Sequence, residues 1–90
     1  MNNREYQYTY ITSGATTTVF TGKGILHSIN INQTPSGVVR IVDNTSGTTA
    51  NVGILPASAV VGTRLYDVTI SKGLIIDQAG SGDLTVAWCQ

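Results

Sequence analysis

The sequence predicts an all-β fold, an antiparallel β-sandwich of seven or eight strands with a jelly-roll-like order, and three observations lead there. Apolar and polar residues alternate with period two along several stretches, the mark of strands with one buried face. Turn signals built on Gly, Pro, Asn, Asp and Ser separate these stretches at intervals of roughly eight to twelve residues. No stretch holds a helical period for more than a turn or two. An immunoglobulin-like strand order would show the same spacing, so pattern alone leaves the topology open.

The first strand covers Arg4 to Ile11, with Tyr6, Tyr8 and Tyr10 on one face and Glu5, Gln7, Thr9 and Ile11 on the other. Three rings in a row admit two main readings. They either lie on a sheet and complete a core with their hydroxyls at its wet rim, or meet another protomer or partner protein, since aromatic residues are enriched in interface cores. Stacking on a glycan is a third. Thr12-Ser-Gly14 breaks this strand, and the β-branched run that ends in Phe20 makes Ala15 to Thr21 the second. Gly22-Lys-Gly24 then turns the chain. Its Gly-x-Gly is not a nucleotide fingerprint, because the third Gly is missing and a strand follows where a helix is required.

The stretch Gly24-Ile-Leu-His-Ser-Ile-Asn-Ile-Asn32 is the third strand, joined through Thr34-Pro-Ser-Gly37 to Val38-Val-Arg-Ile-Val-Asp-Asn44. Strict alternation places Ile25, His27, Ile29 and Ile31 on the core side and Ser28, Asn30 and Asn32 on the other. His27 reads as a semi-buried histidine bonded to backbone or water, without a recognisable nucleophile to serve as a general base. The fourth strand has apolar groups on both faces, as in a central strand covered on both sides or one that joins an intersubunit contact. Asp43-Asn-Thr-Ser-Gly47 is a turn with Gly47 at positive φ, and a single carboxylate there is far from a calcium loop.

Thr48 to Leu55 forms a short fifth strand ended by Pro56. In the apolar connection that follows, Val60 and Val61 either tuck under a sheet edge or face a neighbour. Arg64 to Ser71 alternates again, with Tyr66, Val68 and Ile70 opposite Leu65, Asp67 and Thr69. Leu74 to Asp77 is the seventh strand. After Ala79-Gly-Ser-Gly-Asp83, Leu84, Val86 and Trp88 line one face of the last, with Trp88 closing the core or meeting a partner.

Ninety residues make one domain, 1–90, in which 1–11 is a possible N-terminal strand or arm. A chain this size buries only about 60–65 % of its unfolded surface and often draws extra stability from disulfides, metals or oligomerisation. Cys89 is the only cysteine, and with one His the chain lacks a structural zinc set. Oligomerisation remains the most accessible route. Charged residues are 11 % of the chain and sum to zero, and the five Lys and Arg form no run, which argues against a nucleic-acid groove. No apolar run reaches the length of a membrane helix and no apolar leader opens the chain, so the expectation is a soluble protein made in the cytosol. Under that expectation the acceptor patterns at Asn32 and Asn44 are chance matches. With no metal cluster, phosphate loop or paired carboxylates, catalytic, cofactor and metal sites are all expected to be absent.

The succession of Gly24 to Asn32, Val39-Arg-Ile-Val-Asp-Asn-Thr-Ser-Gly47, Leu65-Tyr-Asp67, Gly73-Leu-Ile-Ile76 and Asp83-Leu-Thr-Val86 resembles small all-β virion proteins of tailed bacteriophages, over residues 15–88. The resemblance implies a capsid decoration (cement) protein that binds the lattice of the major capsid protein, or else a tail or fibre module. It implies a homo-oligomer, with a trimer favoured, on the capsid surface of the virion after synthesis in the host cytoplasm. It transfers no catalytic residue. Tyr6, Tyr8, Tyr10, Ser28, Asn30 and Asn32 are the candidate protein interface, because a face of hydroxyls, amides and aromatic rings is covered at lower cost than a charged one. A carbohydrate-binding β-sandwich, stacking sugars on the tyrosines or Trp88, is the alternative from another class.

Overall fold

A computed structural model describes residues 5–12 and 14–90. Eight strands follow one another: β1 (Gln7–Ile11), β2 (Ala15–Thr21), β3 (Gly24–Gln33), β4 (Val39–Asp43), β5 (Gly53–Leu55), β6 (Gly62–Ile70), β7 (Gly73–Gln78) and β8 (Asp83–Cys89), with no helix among the described residues. They form two four-stranded antiparallel sheets, ordered β1-β8-β3-β6 and β2-β7-β4-β5. Both supply one apolar core: Leu26, Ile29, Ile31, Leu84 and Val86 from the first sheet cluster with Phe20, Val39, Ile41, Leu74 and Ile76 from the second. The result is the sandwich-like body that the alternating pattern predicts. Residues 1–4 of the predicted first strand and arm lie outside the described residues.

Trp88 closes this core from β8. Its ring packs 5.1 Å from that of Phe20, and its indole N–H donates to Thr9 Oγ1 at 3.0 Å, which satisfies the one polar atom of the ring. The fourth strand is interior to its sheet, as one reading of its two apolar faces requires. Val39 and Ile41 enter the core, while Val42, only 1 % exposed, pairs with Ile75, 2 % exposed, on the opposite face. The fifth strand is shorter than predicted, since only Gly53–Leu55 pairs with β4.

Strict alternation fails in β3. Leu26 and Ile29 are both fully buried although they stand an odd number of positions apart, which a regular strand forbids. The cause is a bulge. Between the pairs at Leu26 and Ser28, β6 runs from Val68 to Leu65 and β8 only from Trp88 to Ala87, so the three strands carry different numbers of residues through the same interval. Ile25 and His27 are consequently turned off the core face, and the place expected for Ile25 belongs to Leu26.

Two further expectations are corrected. The tyrosines do not complete a core: β1 sends Ile11 inward and leaves Tyr6, Tyr8 and Tyr10 exposed. Val60 and Val61 do not tuck under an edge, because Ala59 fills that place. The turn before them is pinned by Ser58 N–H donating to Pro35 O at 2.9 Å and Ala59 N–H to Pro56 O at 3.1 Å, so both valines are held outward.

The strands that carry the outer face of the first sheet are anchored at both ends. At one end Gln78, buried at the close of β7, donates from Nε2 to Gly80 O and Gly82 O, both at 3.1 Å, and shapes the turn into β8. Backbone packs so closely there that a Cβ on Gly80 would sit 2.7 Å from Gly37 N. At the other end Asp43 accepts N–H bonds from Ser71 at 2.9 Å, Lys72 at 2.8 Å and Gly73 at 3.3 Å, tying the β6–β7 turn to β4. Gly47 takes the positive φ expected of it, 93°.

Candidate functional site

All six candidate interface residues fall on one surface, the outer face of the β1-β8-β3-β6 sheet. The placement follows from register. Tyr8 pairs with Ala87, which pairs with Ser28, which pairs with Leu65; one step along, Tyr10 pairs with Thr85, then Asn30, then Thr63. Cross-strand partners share a face. Because Val86 and Leu84 between them are fully buried, these two ranks point away from the core.

The ranks have tall rims and a low floor. Tyr8, 74 % exposed, and Tyr10, 56 % exposed, stand on β1, and Leu65 stands on β6 at the opposite edge. Between them lie Ala87 and Thr85 of β8 and Ser28 and Asn30 of β3. The rims are three strand spacings apart, ~14 Å, which makes a shallow trough along the two central strands.

The floor is a connected polar network. Thr63 Oγ1 donates to Asn30 Oδ1 at 2.7 Å, Asn30 Nδ2 donates to Asn32 Oδ1, and Asn32 Nδ2 donates to Thr85 Oγ1 at 2.9 Å. Ser28 and Asn30 are half-buried among their neighbours and Asn32 is exposed. Fixing amides and hydroxyls in one pattern lowers the conformational entropy a partner would otherwise have to remove on binding. At the β8 end of the trough Tyr10 donates its hydroxyl to Asp83 Oδ2 at 3.1 Å. That bond, with the nearby carboxylate charge and a little burial, pushes the Tyr10 phenol above its ordinary value, so it remains neutral and a hydrogen-bond donor at neutral pH.

His27 joins this face. Released by the bulge, its Nδ1 lies 2.5 Å from Asp67 Oδ1 of β6, and its ring stacks on that of Tyr6 with centroids 4.2 Å apart and planes at 22°. Asp67 reaches it from a left-handed backbone conformation, φ 49°, where β6 carries its extra residue. Tyr6, which precedes β1, is thereby held against β3 through the His27 ring. Among the described residues no group of three His, Cys, Asp or Glu side chains lies close enough to hold a metal ion.

Pattern reading offers the six residues as candidates but not what accompanies them. Leu65 and Asp67 are legible as one side of β6, though not as neighbours of Ser28 and His27, since strand pairing is not written in a single sequence; Thr63, beside Asn30, lies before the predicted start of that strand at Arg64. His27 is misplaced by the alternation because the bulge has no local signal. The outer face of the second sheet has another character: Asp77 there accepts from Thr16 Oγ1 at 2.8 Å and from an Arg40 guanidinium N–H at 3.2 Å. Cys89 is a buried free thiol. Compared with known proteins, the chain matches no family model, no curated protein and no solved structure.

Proposed function

We propose that the protein is a structural component of a tailed-bacteriophage virion, a capsid decoration (cement) protein that binds the head lattice through the outer face of its β1-β8-β3-β6 sheet. One observation carries the reading: Tyr6, Tyr8, Tyr10, Ser28, Asn30 and Asn32 share that face, as aromatic rims beside a hydrogen-bonded floor of amides and hydroxyls. Interface cores are depleted of charge and enriched in tyrosine, which supplies large contact area with few rotatable bonds. The motifs resembling those of small all-β virion proteins point to the capsid surface as the place of action. Threefold positions of a lattice favour a trimer there.

A jelly-roll order agrees with this class and is our reading of the topology. Its support is the pairing of β1 with β8, β2 with β7, β3 with β6 and β4 with β5. Such nested pairs arise when one long hairpin, β1 to β4 against β5 to β8, is rolled so that successive pairs alternate between two sheets. Jelly rolls of eight strands recur in viral capsid and lectin domains.

Sedimentation of purified protein with undecorated heads tests the proposal. Saturable co-sedimentation is expected, with loss of affinity on the order of tenfold or more in a Tyr8→Ala/Tyr10→Ala variant. Wild-type protein that stays in the supernatant would overturn it. The trough supports a second reading, in which tyrosine rings stack on a neutral oligosaccharide whose hydroxyls meet Asn30, Asn32 and Asp83. A melting temperature raised by neutral glycans, together with no head binding, would decide for that reading.

A further inference from the structure

Two of the five carboxylate side chains, Asp67 and Asp83, engage the two ends of the tyrosine row. At one end the Tyr10 hydroxyl donates to Asp83 Oδ2 at 3.1 Å. At the other the His27 ring lies on that of Tyr6, with centroids 4.2 Å apart, and Asp67 Oδ1 is 2.5 Å from His27 Nδ1. Tyr8 stands between them, the most exposed of the three.

The contact at Tyr6 is built by the bulge. Between the Leu26–Val68 and Ser28–Leu65 pairs, β6 carries Tyr66 and Asp67 against His27 alone on β3. Tyr66 packs on the core, and Asp67 is left to the outer face. Among the described residues only Ser58 and Asp67 take a positive φ without being glycine, and of these Asp67 alone lies within a strand. Glycine would hold that backbone more cheaply. The pair returns little stability in exchange, because the Asp67 side chain is 52 % exposed and solvent screens such contacts. What both carboxylates do is restrict an aromatic ring, Asp83 directly and Asp67 through the imidazole.

We infer that Asp67, acting through His27, and Asp83 are positioning residues for the binding face, setting Tyr6 and Tyr10 in the orientation in which that face meets its partner. The inference rests on the reading of this face as a docking surface. A ring oriented beforehand gives up less freedom on binding, which is worth about threefold to tenfold in affinity. It also accounts for an aspartate in a conformation better suited to glycine, since backbone strain is retained where a fixed orientation serves a contact.

Nuclear magnetic resonance of the free protein and co-sedimentation with undecorated heads test the inference together. Cross-relaxation between the Tyr6 and His27 rings is expected in the wild type and lost in Asp67→Gly, and Asp83→Ala should lower the pH at which Tyr10 ionises. Each variant should weaken head binding about threefold to tenfold. Because glycine accepts the backbone at this position, the denaturant midpoint of Asp67→Gly should not fall below that of Asp67→Ala. Asp67→Asn and Asp83→Asn keep an acceptor and should retain wild-type affinity. In a Tyr6→Ala background Asp67→Gly should cost nothing further, since the carboxylate acts through that ring. Where an Asp67 variant fails to fold, His27→Ala removes the same contact from β3. Unchanged ring signals, wild-type affinity in Asp67→Gly and Asp83→Ala, or an undiminished loss in the Tyr6→Ala background would overturn the inference. A wild type that does not bind heads would overturn the decoration reading alone, and the ring signals of the free protein would then decide the inference.

Discussion

The two sheets treat their outer faces in opposite ways. On β2-β7-β4-β5, Val42 and Ile75 lie side by side and almost completely shielded, and the next rank is tied by Thr16, Asp77 and Arg40. On β1-β8-β3-β6 the equivalent surface presents tyrosines, leucine and an uncharged polar floor to solvent. A sandwich needs only its inner faces to fold, so what each outer face does is a separate matter. The second sheet shields Val42 and Ile75 on its outer face while Ile54 at its edge stays exposed, and the first leaves its tyrosines and polar floor in solvent.

Substitution at the closed face has the largest expected effect. Ile75→Ala removes a side chain that is 2 % exposed and should cost about 2–5 kcal/mol in denaturant unfolding, as for other buried aliphatic truncations. A cost below about 1 kcal/mol, less than such truncations show, would mean that the outer face of this sheet is not closed in solution, and the contrast would collapse.

Next in size is Asp43, at the end of β4 in the same sheet. Burial alone would raise its carboxyl, but N–H bonds from Ser71, Lys72 and Gly73, with the charge of Lys72, hold it below the ordinary carboxylate range. A lowered folded pKa means that the carboxylate stabilises the fold above the unfolded value near pH 4, and that this contribution disappears as pH falls through the folded value. Asp43→Ala should therefore cost about 1–3 kcal/mol at pH 7. The difference from wild type should shrink in unfolding curves recorded toward pH 2, and a pH-independent difference would remove the carboxylate from the account.

The smallest stability effect belongs to the open face. Tyr8→Ala and Tyr10→Ala should each leave the denaturant midpoint close to that of the wild type, as surface substitutions do, while they remove partner binding. A midpoint displaced as far as by Ile75→Ala would show that the rings serve the fold and not an interface. The comparison would then reduce to two closed faces.

Much of this is legible in the sequence. The alternation of β6 and β8 reads residue for residue, as do the turn at Asn44–Gly47 and the packing of Trp88 on the core. Legibility fails at three places. The inward face of β3 and the outward tyrosines depend on which strand lies alongside and how many residues it carries through the same interval, and the exposed valines on a turn pinned by hydrogen bonds to Pro35 and Pro56. His27 illustrates the limit, since its partner Asp67 lies forty residues away at a bulge that only the paired strands define.

Local pattern therefore sets the class of fold, the positions of strands and turns, and the uncharged, aromatic character of one candidate face. Period-two hydropathy, glycine at positive φ and composition are properties of short stretches of chain, so they can be read along it. Which rows of residues meet is settled by folding, because hydrogen-bonded register and bulges are properties of strand pairs. Pairing brings Tyr8, Ala87, Ser28 and Leu65 into one rank and Tyr10, Thr85, Asn30 and Thr63 into the next, turning separate strand faces into a single surface.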